Sequence, residues 1–185
     1  MTNNQIYNIN DYSFSQMDAV LFDANIWLYI YGRQGERYPR IKATYTLALR
    51  RIRSVKGRIL VDGFVLAEFI NAYARFFYNI LPEVNKPAEF KIYRNSAEFK
   101  PFAQEIARQS RKILEKCERV DSGFETADWR EILRKYAAGE SDFNDQILAE
   151  LCKAKNLKLV THDADFKGDN LTIITANPKL LNSEM

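Results

Sequence analysis

The chain has 185 residues, a net charge of +3 and 46% hydrophobic residues. That is enough chain for one domain with a proper core, of soluble globular composition. No apolar run approaches the roughly 20 residues of a membrane span, the polar start MTNNQIYNINDYSF lacks the basic region of a signal peptide, and the single histidine, His162, excludes most zinc sites and argues against a His-based triad. Cys117 and Cys152 are distant and form no CxxC pattern, which suggests reduced thiols in a cytoplasm. The mild positive charge permits a nucleic-acid partner without demanding one.

In chain order, residues 1–17 read as a polar lead-in. The run DAVLFDANIWL, 18–28, reads as a buried strand over 19–22 that enters a turn and a helix. Asp23 follows the apolar run directly, so it belongs at the carboxyl end of a central strand. Asp caps helices well, but Asn25 can take that role. A buried strand rarely ends on a charge without a partner, which favours a functional Asp23. Residues 33–58 hold nine Arg and Lys against the single acid Glu36, with an amphipathic helix over 44–52 in the middle. Such a run is usually a solvated face; its one-sidedness leans towards a phosphate-facing surface.

Residues 58–61 form a second short strand, and 64–78 a helix apolar nearly all round. A helix of that kind is largely buried, so Glu68 needs a reason to be there. It either pairs with Arg75 or a neighbouring base, or shares an acidic crevice with Asp23. Pro82, Pro87 and Pro101 then break the chain into a loop, a short segment and a helix from about 101 to 117. Aromatics alternate with bases here: Phe90, Lys91, Tyr93, Arg94, Phe99, Lys100. The pattern suits stacking on unpaired bases, and a helical lid or partner interface better. The expectation is a helical arm beside the crevice, whose deletion weakens binding more than folding. A third strand over 118–120 and an amphipathic helix over 126–137 follow.

The organising stretch is SDFNDQILAELCKAKNLKLVTHDADF, 141–166. Ser141 is a good N-cap, Phe143, Ile147, Leu148 and Leu151 recur at helical spacing, and Asn156 suits a left-handed end. A strand over 157–160 leads through Thr161 to Asp163 and Asp165. Asp142 and Asp145 share one face of the first helical turn. If this helix packs on the following strand, Asp145 and Asp163 meet at the strand's carboxyl end, where open parallel sheets place their ligands. Carboxylates brought together repel unless a cation neutralises them. Ordinary capping and turn chemistry explain the same residues, and on this stretch alone the two readings balance. An edge-like strand over 171–174 and a tail, 176–185, complete the chain.

The alternation of strands and helices predicts an α/β fold with right-handed crossovers, a parallel sheet and the strand at 19–22 central. The order of acids resembles the PIN-domain nucleases: VLFDAN (20–25), LVDGFVLAEF (60–69), then NDQILAELCKAKNLKLVTHDADF (144–166). The last element is the most specific, and the match covers about half the chain. The resemblance implies a three-layer α/β/α sandwich, a single domain over 1–185, and a helical insert at about 79–117 that compact members lack. It also implies a ribonuclease using Mg²⁺ or Mn²⁺, with Asp23, Glu68, Asp145 and Asp163 as metal-binding acids and Asp142 and Asp165 as auxiliaries. A toxin role with an antitoxin partner, a homodimer, an RNA substrate and no membrane association belong to the same expectation. An oxygen-only site suits a hard cation such as Mg²⁺, and Thr161 is placed to orient the acids. Three rivals stand beside this reading. A haloacid-dehalogenase-like phosphatase wants Asp where Asn25 stands, and a downstream lysine for which Lys158 is a poor match. The others are a non-catalytic module that keeps the fold to bind RNA or protein, and a flap-type nuclease, normally longer and richer in acids.

Overall fold

Alternating apolar runs and helices build a layered α/β/α structure, for which the computed structural model describes residues 4–164, 166 and 170–182. Six strands among the described residues, β1 (Gln5–Asn8), β2 (Ala19–Phe22), β3 (Arg58–Val61), β4 (Glu118–Arg119), β5 (Lys158–Val160) and β6 (Thr172–Thr175), form one sheet in the order β1-β6-β5-β2-β3-β4. Every pairing is parallel. The inner strands are short unbroken apolar runs because helices cover both their faces: Val20, Leu21 and Phe22, then Leu159 and Val160, are fully buried. The expected strand at 19–22 is central, as the sequence predicts.

The helices are α1 (Ala24–Tyr31), α2 (Pro39–Ser54), α3 (Gly63–Asn79), α4 (Phe90–Arg94), α5 (Lys100–Leu114), α6 (Trp129–Ala137), α7 (Phe143–Lys155) and α8 (Pro178–Leu181). α3 sends Val65, Phe69, Tyr73 and Phe77 into the core at four-residue spacing. α7 ends at Asn156 in the left-handed conformation (φ 51°, ψ 50°), a geometry Asn tolerates better than most side chains.

Four local expectations are corrected. Residues 5–8 of the polar lead-in are a strand, because β6 offers them a parallel edge: Gln5 N donates to Leu171 O at 2.8 Å and Ile9 N to Thr175 O at 2.8 Å. For the same reason β6 is interior, not an edge. The tail contains α8, capped by Asn177, whose side chain accepts from Lys179 N. Asp142, not Ser141, caps α7, with its Oδ1 accepting from Asn144 N at 2.8 Å.

The insert, 79–117, is packed into the body of the fold. Tyr93, Phe99, Ile106 and Ile113 belong to the same buried cluster as the sheet. The Phe77 and Phe102 rings sit 4.4 Å apart, and Tyr93 packs on Phe99 at 5.2 Å. Glu105 on α5 accepts from Tyr73 OH at 2.6 Å and from Arg33 through Nε and Nη2 at 3.0 and 2.6 Å. Tyr93 and Phe99 therefore serve packing rather than base stacking. Much of the basic run at 33–58 is likewise spent internally. Arg51 donates to the carbonyls of Ile9 and Asn10 at 2.9 and 3.3 Å and to that of Tyr12. Arg58 pairs with Glu118 at 2.7 Å, and Arg37 lies over the Phe76 ring. Exposed Arg40 and Arg50 keep the outward charge on α2.

Two outcomes follow for stability. Phe99→Ala is expected to destabilise the fold by about 3 kcal/mol in urea titration; a loss below about 1 kcal/mol, the level of an ordinary substitution, would show the insert to be dispensable. Asn156→Gly is expected to leave the melting temperature unchanged or raised, whereas Asn156→Val costs about 1–2 kcal/mol in the left-handed region.

Candidate active site

Strand register sets the site. Phe22 lies opposite Val160, so the next residues, Asp23 and Thr161, emerge side by side at the carboxyl ends of β2 and β5. Asp23 N donates to Val160 O at 3.0 Å. The Asp23 side chain, only 6% exposed, caps α1 by accepting from Asn25 N at 3.5 Å. It also accepts from Thr161 Oγ1 at 2.7 Å and from the Asn25 amide. Capping and site placement are thus both true of Asp23, because the helix begins where the strand ends. Thr161 Oγ1 in turn accepts from Asn25 Nδ2 and Asp163 N, each at 3.1 Å, and Asn25 Oδ1 accepts from His162 N at 3.2 Å. Asn25 and Thr161 together hold one carboxylate oxygen of Asp23 and tie the two loops to each other. The sequence suggested Thr161 for this role, and named Asn25 as an alternative cap and as part of the VLFDAN motif without giving it a hold on Asp23; its position two residues after a strand-ending Asp was the available signal.

Above this network lies a crevice of about 520 Å³ lined by Asp23, Glu68, Asp142, Asp145 and Asp163, with Asn25, Ser141 and Asn144 among its polar walls. Asp23 and Asp163 come from the ends of β2 and β5, Glu68 from the second turn of α3, Asp142 from the N-cap of α7 and Asp145 from its first turn. All four primary acids and the auxiliary Asp142 therefore share one space. Asp165 lies outside the described residues. The carboxylates line the crevice without focusing on a point: among the described residues no three Asp, Glu, His or Cys side chains form a closed ligand set.

Electrostatics report the same proximity. Burial, then the charges of Asp23, Asp142 and Asp163, push the Glu68 carboxyl up to about 7. Burial, then Asp163, Asp23, Asp142 and Glu68, push Asp145 up to about 7. Burial also raises Asp23, against the hydrogen bonds from Thr161 and Asn25 that hold it down. Glu68 Oε2 is buried with no hydrogen-bond partner, and so is Ser141 Oγ at the crevice wall. Glu68 makes no ion pair with Arg75, the bland alternative open to it in the sequence; Arg75 lies over the Phe90 ring instead. An unpartnered buried carboxylate oxygen is costly and suits a hard cation as its missing partner. Lys158 is at the opposite end of β5, paired with buried Asp18 and donating to Tyr12 OH at 2.6 Å. A phosphatase needing that lysine beside Asp23 is therefore excluded by distance along the strand.

Comparison with known proteins agrees with this geometry. Residues 20–168 match the PIN domain. A chain of the crystal structure of VapBC2 from Rickettsia felis bound to a DNA fragment from their promoter has a similar fold, with a TM-score of 0.54 and 17% identity, over 85% of this chain and 98% of that one. No curated protein matches the chain at a significant level. With the acids of three separate segments gathered at the sheet's carboxyl end and the PIN-domain match spanning residues 20–168, the chain belongs to the PIN-domain family.

Proposed function

We propose that this protein is a metal-dependent endoribonuclease that hydrolyses phosphodiester bonds in RNA, with Asp23, Glu68, Asp145 and Asp163 as its catalytic, metal-binding acids. The observation that carries the reading is the shared crevice, in which crowded carboxylates, from buried Asp23 to exposed Asp142 and Asp163, face one another with no basic side chain among the described lining residues. Asp142 and Asp165 are auxiliaries in this reading, Asp165 from outside the described residues. The donor set is all oxygen, which fits Mg²⁺ or Mn²⁺ better than a softer metal. A bound divalent ion would supply charge neutralisation at the phosphate and a water of lowered pKa.

The protein's own share is positioning. Thr161 and Asn25 hold Asp23 in one orientation through short hydrogen bonds, which spares it reorganisation when a ligand arrives. The Glu68 and Asp145 carboxyls, pushed up to about 7 by burial and neighbouring acids, would give up their protons to a bound cation. The continuous buried core joining 79–117 to the sheet supports one domain over 1–185 with a packed helical insert. PIN domains are generally nucleases, and the likeness to a chain of a promoter-bound VapBC2 complex supports a toxin role with an antitoxin partner, and allows a homodimer. No helix of the described residues is long and apolar enough to cross a membrane, in keeping with a cytoplasmic role.

In the unfolded chain Glu68 and Asp145 lose their protons near their ordinary values of 4.5 and 3.8, and in the folded metal-free chain only near 7. Their contribution to stability is therefore full below about pH 4 and is lost as pH rises through about 7. In EDTA, Glu68→Gln and Asp145→Asn are expected to gain melting temperature on wild type as pH rises from 4.5 to 7.5; parallel curves would place these carboxylates outside a repulsive cluster. With Mg²⁺ or Mn²⁺ and RNA, Asp23→Asn, Glu68→Gln, Asp145→Asn and Asp163→Asn are each expected to lose on the order of 10²-fold or more in cleavage rate. Wild type should gain thermal stability from the ion and the variants should gain less. Variants that melt lower yet cleave normally would assign the residue to structure.

A further inference from the structure

Beside the Asp163 edge of the crevice stands a group of rings that the chemistry above does not use. Tyr45, fully buried on α2, is its root. Its OH contacts His162 Nδ1 at 2.8 Å, donates to Thr161 O at 3.3 Å and accepts from Ala176 N at 3.0 Å. Tyr29 on α1 stacks on Tyr45 at 6.4 Å with 16° between planes, and meets the edge of His162 at 5.3 Å. Tyr38, the residue before α2, meets Tyr29 at 6.0 Å and 88°. Tyr38 is 52% exposed, although its neighbours in the group are half-buried or buried. Burial, then Tyr38, then the charge of Asp163 raise the Tyr29 phenol, so the group lies within electrostatic reach of a crevice acid. Exposed Arg40 and half-buried Lys42 follow Tyr38 on α2.

We propose that Tyr38 is a stacking platform for an unpaired nucleotide base adjoining the scissile phosphate, braced by Tyr29, which itself packs on Tyr45 and His162. This rests on the nuclease reading and adds a specificity residue to it. An exposed aromatic face beside an acidic crevice suits a base, because stacking tolerates any sequence and needs no charge. The bracing matters because Tyr29 and Tyr45 are already packed, so ordering Tyr38 costs little side-chain entropy. Arg40 and Lys42, the cations that follow Tyr38 at the start of α2, give the backbone phosphates a counter-charge. Duplex RNA keeps its bases stacked on one another and gains nothing from such a platform.

The test compares wild type, Tyr38→Ala and Tyr38→Trp, whose exposed position leaves the fold intact, with melting temperatures as the control. Fluorescence anisotropy in EDTA reads binding of a labelled uridine 12-mer, an abasic 12-mer of the same charge, and a 12-base-pair RNA duplex. Wild type and Tyr38→Trp are expected to prefer the uridine strand over the abasic one by roughly tenfold, the yield of one stacked base, and Tyr38→Ala to lose that preference with duplex binding unchanged. In cleavage, Tyr38→Ala should raise KM about as much and leave kcat alone. Equal uridine and abasic affinities in wild type, or no effect of Tyr38→Ala, would overturn the platform, and would do so too if the patch served a protein partner instead. If wild type discriminates in binding but cleaves no RNA, the nuclease reading fails and the platform stands.

Discussion

Repulsion among carboxylates crowded at the carboxyl ends of β2 and β5 is the constraint around which the rest of the site is arranged. Like charges in a half-buried crevice cannot all ionise without a counter-charge. This structure answers in two ways. Asp23, the most buried, is held by Thr161 and Asn25, while Glu68 and Asp145 are pushed up to about 7 and keep their protons longer. One acid is oriented by hydrogen bonds and two are left adjustable, a division that suits the proposed binding of a cation.

The fold supplies this arrangement through parallel register. Pairing Phe22 with Val160 sets Asp23 beside Thr161, and Asp62, following β3, caps α3 by accepting from Val65 N at 2.8 Å. That cap starts α3 at a fixed angle, so its second turn delivers Glu68 to the crevice while Val65 and Phe69 go to the core. α7, capped by Asp142, brings Asp145 over from its first turn. Each acid thus sits within about two turns of a strand end or a cap, where backbone geometry is least free to drift.

Charge elsewhere is used differently. Arg33, Arg51 and Arg58 close contacts with Glu105, backbone carbonyls and Glu118. They fasten the insert, the loop after β1 and the β4 edge to the body. Exposed ion pairs contribute little energy, but Arg33 and Tyr73 converge on one Glu105 carboxylate, and bidentate geometry fixes orientation. Outward cationic surface is therefore smaller than the composition of 33–58 suggests, and on α2 it is spread over Arg40, Arg50 and Arg53.

Short apolar runs followed by acids were enough to mark β2, β3 and β5 and to draw attention to Asp23 and Asp163, because a buried strand and a charge at its end are both local signals; Glu68 and Asp145 lie inside helices, and the four acids were joined as a set only by the resemblance to the PIN-domain nucleases. Asn156 was legible for the same reason, since a left-handed helix end depends on one residue. The strand at 5–8 was not, because QIYN has no apolar run and becomes a strand only when β6 offers it an edge. The aromatics of 79–117 and the bases of 33–58 were ambiguous in sequence, where an inward ring and an outward ring look alike. Tertiary packing decided them, sending Tyr93 and Phe99 into the core and Arg51 onto the carbonyls of the loop after β1. The shared crevice also belongs to the tertiary structure: sequence names acids one segment at a time, and only strand register and helix packing bring their charges within reach of one another.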